Sequence, residues 1–493
     1  MNVLKNNYFY LFVVIAVYAA ITVMSLNKCY FWDNIQQTSK EANWYYDTDF
    51  SGLLLPSFSD VAEGKSDVAG TGYHPPLTGF ITAGLWKIFG RSLHVSHIFI
   101  FCCSLILIFN TFKLFAKLFP NKPYGIFILL PLLDSSFLTQ SAVASPDIIL
   151  ATAFVTCLRA IVDDKKMLLS VAYIFLCLVN ARGFFAGVLV FAFFVLYKII
   201  YSKEKLTVKQ FLKKSLPFLP GIVLLFSFFA YYFSQRGWFF SEPGFQSNHY
   251  ERPESFGHLM KNIAVYIFVL TENGRILIWL FLALLIFMFK RSRVKTAFTD
   301  CEKSFIFLFS SFLLMYFLLV ILTQMGGIGP RYHIPSYFLL TVVFFILLDK
   351  VKIKQMRSYV FLLVFFLLVG NFSVYLFSEK RAKAWDTTLA HFPFYELREK
   401  CFEYMEANNI PYEKTAGGFC IYGNQRYIDL KSEYRYIEVA EKIAEKEYFI
   451  YSNISNLSDE IIDELHDTSK WIMLKDFRKG AVFIAIYASQ SEL

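Results

Sequence analysis

Apolar residues in this chain gather into blocks close to twenty residues long. At a rise of about 1.5 Å per residue, a helix of that length crosses the roughly 30 Å hydrocarbon core of a bilayer. The blocks occupy 8–26, 94–116, 124–140, 146–162, 167–180, 183–201, 215–233, 274–290, 304–323, 333–350 and 357–378. They predict a polytopic α-helical membrane protein with about eleven transmembrane helices. The block at 124–140 ends in polar residues and the one at 167–180 is short, so these are the two weakest spans. Lys5 precedes the first block and no small-x-small cleavage pattern follows it, which reads as an uncleaved helix rather than a signal peptide. No internal repeat is visible.

Beyond residue 378 the long blocks cease and mixed charge takes over, dividing the chain into a membrane part, 1–378, and a small soluble α/β domain, 379–493. Helical periodicity covers 394–407. A strand is expected at 448–452 and a helix at 457–466, opened by Ser458 and acidic residues. A hairpin is expected to pair 471–474 with 481–488 across Arg478, Lys479 and Gly480. The tail has no phosphate loop, GxGxxG or HExxH, which leaves it an accessory or acceptor-facing role.

The connecting segments alternate in charge. One set is basic: Lys113, Lys117 and Lys122; Lys165 and Lys166; Lys203 to Lys214; Lys290 to Lys295; Lys350 to Arg357. The other set, 27–93, 134–145, 181–182, 234–273 and 324–332, is poor in Lys. Because Lys and Arg near helix ends stay cytoplasmic, this puts the N-terminus inside and the tail outside the cell. A formal net charge of +9 otherwise invites a nucleic-acid reading, but the cations sit where topology needs them, so no nucleic-acid partner is expected. Cys102, Cys103, Cys157 and Cys177 lie in apolar blocks and no CxxC occurs, which argues against a structural zinc site. Cys401 and Cys420 both fall in the tail, where a disulfide and two free thiols are equally open readings.

The loop 27–93 is far longer than a connection requires and is expected to carry interfacial helices. Asp33 stands at its start, at the membrane–water boundary, either as a reactive carboxylate or as the cap of a short helix over 35–46. His74 precedes Pro75 and Pro76, which force it into extended backbone, and it orients a phosphate or carboxylate or hydrogen-bonds its own turn. Asp147 opens a helix on the outer side, where a carboxylate is favoured whether it caps or reacts. Arg182 lies in an outer turn and at that depth needs a partner. Arg331, beside Gly329 and Pro330, suits bidentate contact to an oxyanion, the bland alternative being a lipid-headgroup anchor. His249, Arg252, Glu272 and Arg275, in or next to the outer segment 234–273, are further binding candidates that nothing ranks.

An acidic residue just past the first helix, a long outer loop closing on His74, Pro75, Pro76 and Leu77, and then Phe89, Gly90, Arg91 and Ser92 resembles a known pattern. It is that of the protein O-mannosyltransferases and the lipid A aminoarabinose transferases, both GT-C glycosyltransferases. The resemblance covers roughly 8–350 and leaves the tail unexplained. Asp147 follows Ser145 and Pro146 at the family's second acidic position. Arg182–Gly183 matches its basic-glycine pair near the donor phosphate, and Arg331, Tyr332 and Pro335 match its Arg-Tyr-x-x-Pro signature. Asn34 departs from the Asp-Glu pair of the mannosyltransferases, so their two-carboxylate mechanism does not carry over. The middle of the chain has no inserted lumenal domain, which favours the bacterial branch.

The resemblance implies transfer of a sugar from a polyprenyl-phosphate-linked donor to an extracytoplasmic acceptor, a glycolipid, polysaccharide or protein, at a bacterial inner membrane. Asp33 would be the general base, with Asp147 as the second carboxylate. Arg182, Arg331, Tyr332 and His74 would lie at the donor. A divalent metal on Asp33, Asp147 and His74 stays open, since their spacing specifies none. The rival readings are a lipid flippase or transporter, against which no paired halves or Gly/Pro-broken midplane helices appear, and a ligase or polymerase using diphosphate-linked donors.

Overall fold

A computed structural model describes residues 6–31, 33–57, 60, 74–200, 207–239, 253–292, 297–323, 329–353, 355–383, 387–419, 421–431 and 435–490. Every apolar block holds helix. Six helices are long and apolar enough to cross a bilayer: Asn7–Ser25, Leu93–Leu118, Ala181–Ile200, Val208–Arg236, Asp300–Leu322 and Pro330–Lys350. Two bent pairs raise the count to eight among the described residues: Tyr124–Leu132 with Ser135–Ala142, bent by 66°, and Phe256–Thr271 with Ile276–Arg291, bent by 87°. Pro146–Val162, Lys166–Leu178 and Met356–Gly370 are shorter. The chain is thus a multi-pass membrane protein with fewer full-length spans than its apolar blocks suggest.

Burial explains the difference. In Pro146–Val162 every residue except Arg159 is buried by protein, so its apolar sequence reflects a core helix and not a lipid-facing one. Pro330–Lys350 is likewise central, 89% buried over its apolar window, whereas Val208–Arg236 is only 22% buried and shows Phe226, Val223 and Leu219 to lipid. Phe256–Thr271 lies within the segment 234–273 that was expected to be a loop.

Both bends are closed by one buried ion pair. Asp134 caps Ser135–Ala142 by accepting from the Ser136 amide at 2.9 Å, and Arg275 begins Ile276–Arg291. The Arg275 guanidinium grips the Asp134 carboxylate through two bonds of 2.6 and 2.7 Å, adds Ser136 Oγ at 2.6 Å, and lies 3.7 Å from the centre of the Tyr337 ring. It has no exposed surface. Beside it Gly274, at φ +82°, and Gly370 let the bend and the helix Met356–Gly370 touch backbone to backbone, where a Cβ would collide with the Phe366 or Asn273 backbone.

The long loop 27–93 carries two helical stretches, Ile35–Lys40 running into Glu41–Asp47, and Leu77–Phe89, packed together at Gly79. On them sits the tail domain. Its sheet has β1 (Thr415–Gly417), β2 (Gly423–Asn424), β3 (Tyr436–Val439), β4 (Tyr448–Ser452), β5 (Trp471–Lys479) and β6 (Val482–Ser489), in the order β2-β3-β1-β4-β6-β5. β1 is parallel to β3 and β4, and β6 is antiparallel to β4 and β5. Alternate side chains divide the two faces. Ile450, Ile484 and Ile486 face the helix His391–Ala407 and the core shared with the membrane part, while Phe449, Tyr451, Phe483 and Trp471 build a second core under Asp459–His466. The strand at 448–452 appears as expected, and the helices expected at 394–407 and 457–466 begin at 391 and 459. The hairpin forms with its first strand continuing to Lys479, so that Arg478 and Lys479 lie in the strand and not in the turn. The short strands β1 to β3 had no sequence signal. Cys401 is buried, and its pairing with Cys420 concerns a residue outside those described.

The Arg275–Asp134 pair yields a testable expectation. Removing either partner alone (Asp134→Leu or Arg275→Met) leaves an uncompensated buried charge and costs about 3–5 kcal/mol. The double substitution recovers most of that loss, which thermal unfolding of the four proteins in one detergent measures.

Candidate active site

Asp33 is held by its neighbours on both sides. Tyr30 donates its amide to the Ile428 carbonyl of the tail at 2.8 Å and its hydroxyl to Ser96 at 2.6 Å, and Phe31 packs against the rings of His391, Phe394 and Tyr395. Asn34 is buried and donates to the Val143 carbonyl at 2.9 Å. A glutamate there would set a carboxylate oxygen against that carbonyl, which accounts for Asn in this chain. Asp33 accepts the Gln36 and Gln37 amides only through its backbone carbonyl, and the helix that follows is capped by Asn34 without a side-chain bond. The Asp33 carboxylate reaches Arg331 instead.

Val143 leads into Ala144, at φ +52°, and Ser145, whose hydroxyl accepts the Asp147 amide at 3.1 Å; Pro146 begins the helix. This turn places Asp147 in the first turn of the buried helix, with its side chain 2% exposed. Asn180 caps Ala181–Val195 by accepting the Gly183 amide at 3.0 Å, and Arg182 then comes within 2.7 Å of Asp147. Arg331 lies in the 3₁₀ turn Pro330–His333, with its Nε 3.8 Å from Asp147. No donor is aligned on either Asp147 oxygen as a hydrogen bond, so its contacts to the two guanidiniums are ionic.

The result is a row of alternating charge, Asp33, Arg331, Asp147, Arg182. Its middle is sealed and its ends are open, with Arg331 4% and Asp147 2% exposed but Asp33 32% and Arg182 18%. Tyr332 binds the row together: Arg182 lies 4.2 Å and Arg331 5.1 Å from its ring centre. The Tyr316 hydroxyl donates to the Tyr332 carbonyl and fixes the turn, a contact no sequence signal announced.

His74 joins the same place through the Ala181 amide, which donates to its Nδ1 at 3.1 Å. Burial, then the charge of Arg182, holds its pKa down to about 3, with Arg331 adding to this and Asp33 opposing it. The ring is therefore neutral, and with Nδ1 accepting, its proton is on Nε2.

Among the described residues no three His, Cys, Asp or Glu side chains group closely enough to hold a metal ion. Asp33, Asp147 and His74, which the sequence left open as a ligand set, are not among such groups, and both carboxylates face arginines. Arg275 lies apart, in its pair with Asp134, and Glu272 is 3.8 Å from Arg381 at the start of the tail. His249 and Arg252 lie outside the described residues.

Because His74 stays neutral in the fold while an unfolded histidine takes up a proton near its usual value of 6.5, stability falls as pH drops below that value. Between pH 6.5 and about 5 the loss from this partly exposed group is on the order of 1 kcal/mol. His74→Gln should remove that part of the slope in unfolding measured across the interval.

No protein-family model matches the chain, and no curated protein matches its sequence. Solved structures do match. ArnT from Cupriavidus metallidurans in the apo state aligns with TM-score 0.53 at 10% identity, and ArnT from the same organism bound to undecaprenyl phosphate aligns with TM-score 0.51 at 11% identity. Each alignment covers 96% of this chain and 97% of the other. At that identity the likeness is one of fold: from the first helix through the tail sheet, this chain has the fold of ArnT, a GT-C lipid A aminoarabinose transferase.

Proposed function

We propose that this protein is a GT-C membrane glycosyltransferase that takes a sugar from a polyprenyl-monophosphate carrier and passes it to an extracytoplasmic acceptor. The observation that carries the reading is the Asp33–Arg331–Asp147–Arg182 row, with two guanidiniums at the starts of two candidate spans and a half-open carboxylate at its edge. The fold shared with a protein that binds undecaprenyl phosphate supports the carrier. Basic segments at the opposite helix ends support a cytoplasmic N-terminus and an external tail.

The charges dictate the order of events. With two arginines and two aspartates the empty site is balanced, so a phosphate entering beside Arg331 is stabilised only if Asp33 gives up its place. Asp33, the most exposed member, moves toward the acceptor and becomes free to act as a base. It takes the proton of the acceptor hydroxyl or amine as that atom bonds to the anomeric carbon. The anomeric carbon–phosphate oxygen bond breaks with its electron pair on the phosphate. Arg331 and Arg182 meet that growing charge, His74 offers its Nε2–H, and Asp147 holds both guanidiniums in place. The sugar–phosphate bond already carries the driving force, so no nucleotide is needed outside the cell.

Binding and turnover separate in the test. Arg331→Gln should weaken undecaprenyl phosphate binding roughly tenfold or more. Asp33→Asn should leave that binding unchanged or tighter, because a competitor for Arg331 is gone, yet lower release of polyprenyl phosphate from a monophosphate-linked sugar about 10²–10⁴-fold. Full turnover in the Asp33 variant removes it as base. Carrier binding indifferent to Arg331 removes the donor site, and carrier movement without sugar release turns the reading to a flippase.

A further inference from the structure

The helices that present Asp147 and Arg182 have far ends, and a second cleft lies there. Pro146–Val162 places Asp147 roughly 22 Å from the helix C-terminus, and Ala181–Ile200 carries Arg182 at one end and Tyr197 and Lys198 at the other. Where these ends meet the start of Lys166–Leu178 and the helix Val208–Ser215, a cleft of about 410 Å³ opens, lined by Lys165, Lys166, Lys198 and Lys214 with Asp164 and Asp300. The lining thus carries four lysines against two carboxylates. The floor is apolar, made by Leu169 and Phe194.

One wall is built to lie on a membrane surface. Val208–Ser215 starts with a capping box, Thr207 and Gln210 each bonding the other's backbone amide, and it is strongly amphipathic. Its apolar side leaves Val208 77% and Leu212 58% exposed, while Lys214 turns into the cleft. Val171, Leu219 and Val223 are exposed on Lys166–Leu178 and Val208–Arg236, helices that pack together and contribute to the cleft lining.

We infer that this cleft is a binding site for the phosphodiester headgroup of an anionic phospholipid of the cytoplasmic leaflet. The lysines take the phosphate, and the acyl chains descend along the exposed apolar surface of the two helices. A basic cleft lined by the same two helices that carry exposed apolar side chains fits a ligand that is itself anionic at one end and apolar at the other. A soluble phosphate would use the lysines and leave that apolar approach without a purpose. The site is on the opposite membrane face from Asp33 and stands whether or not the glycosyltransferase reading does.

Native mass spectrometry of the full chain released from nanodiscs of mixed phosphatidylglycerol and phosphatidylcholine tests it. The unmodified protein should retain phosphatidylglycerol in preference. Lys166→Gln and Lys214→Gln should each weaken that retention roughly five-fold and multiply when combined. The control pair Lys431→Gln and Lys442→Gln, in the tail, should change nothing. Retention unaffected by the cleft variants, or equally reduced by the controls, overturns the site. If inorganic phosphate alone in detergent raises the unfolding temperature as much as phosphatidylglycerol does, and the cleft variants abolish both shifts, the ligand is a soluble phosphate and the lipid assignment fails.

Discussion

A guanidinium withdrawn from water needs a carboxylate within reach, and much of this molecule is arranged to supply one. Arg331 and Arg182 come from turns 149 positions apart in sequence, Asp33 from the long loop 27–93 and Asp147 from a buried helix, yet among the described residues they lie side by side with opposite charges in contact. Four segments that share no sequence neighbourhood are therefore required to meet at one depth. The requirement ties the outer loop, the core helix and the late 3₁₀ turn into a single body.

The same physics, used twice, gives opposite results. Arg275 and Asp134 form a pair with two aligned bonds, extra hydroxyl partners and no exposure, closing two helix bends at once. Such a pair has nothing left to offer a ligand. Around Asp147 the charges are close but poorly aligned and the row opens at both ends, so a new anion can be exchanged into it. Alignment and access, not the presence of charged residues, separate a strut from a site.

That distinction marks what the sequence could convey. Apolar blocks locate helices well, but lipid and protein interior select for the same side chains, so Pro146–Val162 reads like a span although protein surrounds it. Phe256–Thr271 was hidden because His258, Lys261 and Asn262 dilute its apolar character. The residues near Arg331 were legible because short motifs around Asp33, His74, Asp147 and Arg182 recur in a recognisable order. Arg275 was grouped with them for its position at an outer helix start; its partner lies 141 residues away with nothing in the local sequence to announce it. The roles of Asn34 and Tyr316 depend on carbonyls contributed by distant turns, and no pattern of side chains encodes those.

The tail's grip on the outer loop carries a further consequence. Ile428 holds Tyr30 three residues before Asp33, Arg426 meets Asp47 at 2.6 Å, and Ser39 bonds the Tyr427 carbonyl. A displaced tail would thus be felt near Asp33 through one backbone bond and two side-chain contacts. The segment 426–428 is thereby tethered to the loop that carries Asp33, and a change in its shape would move that loop with it.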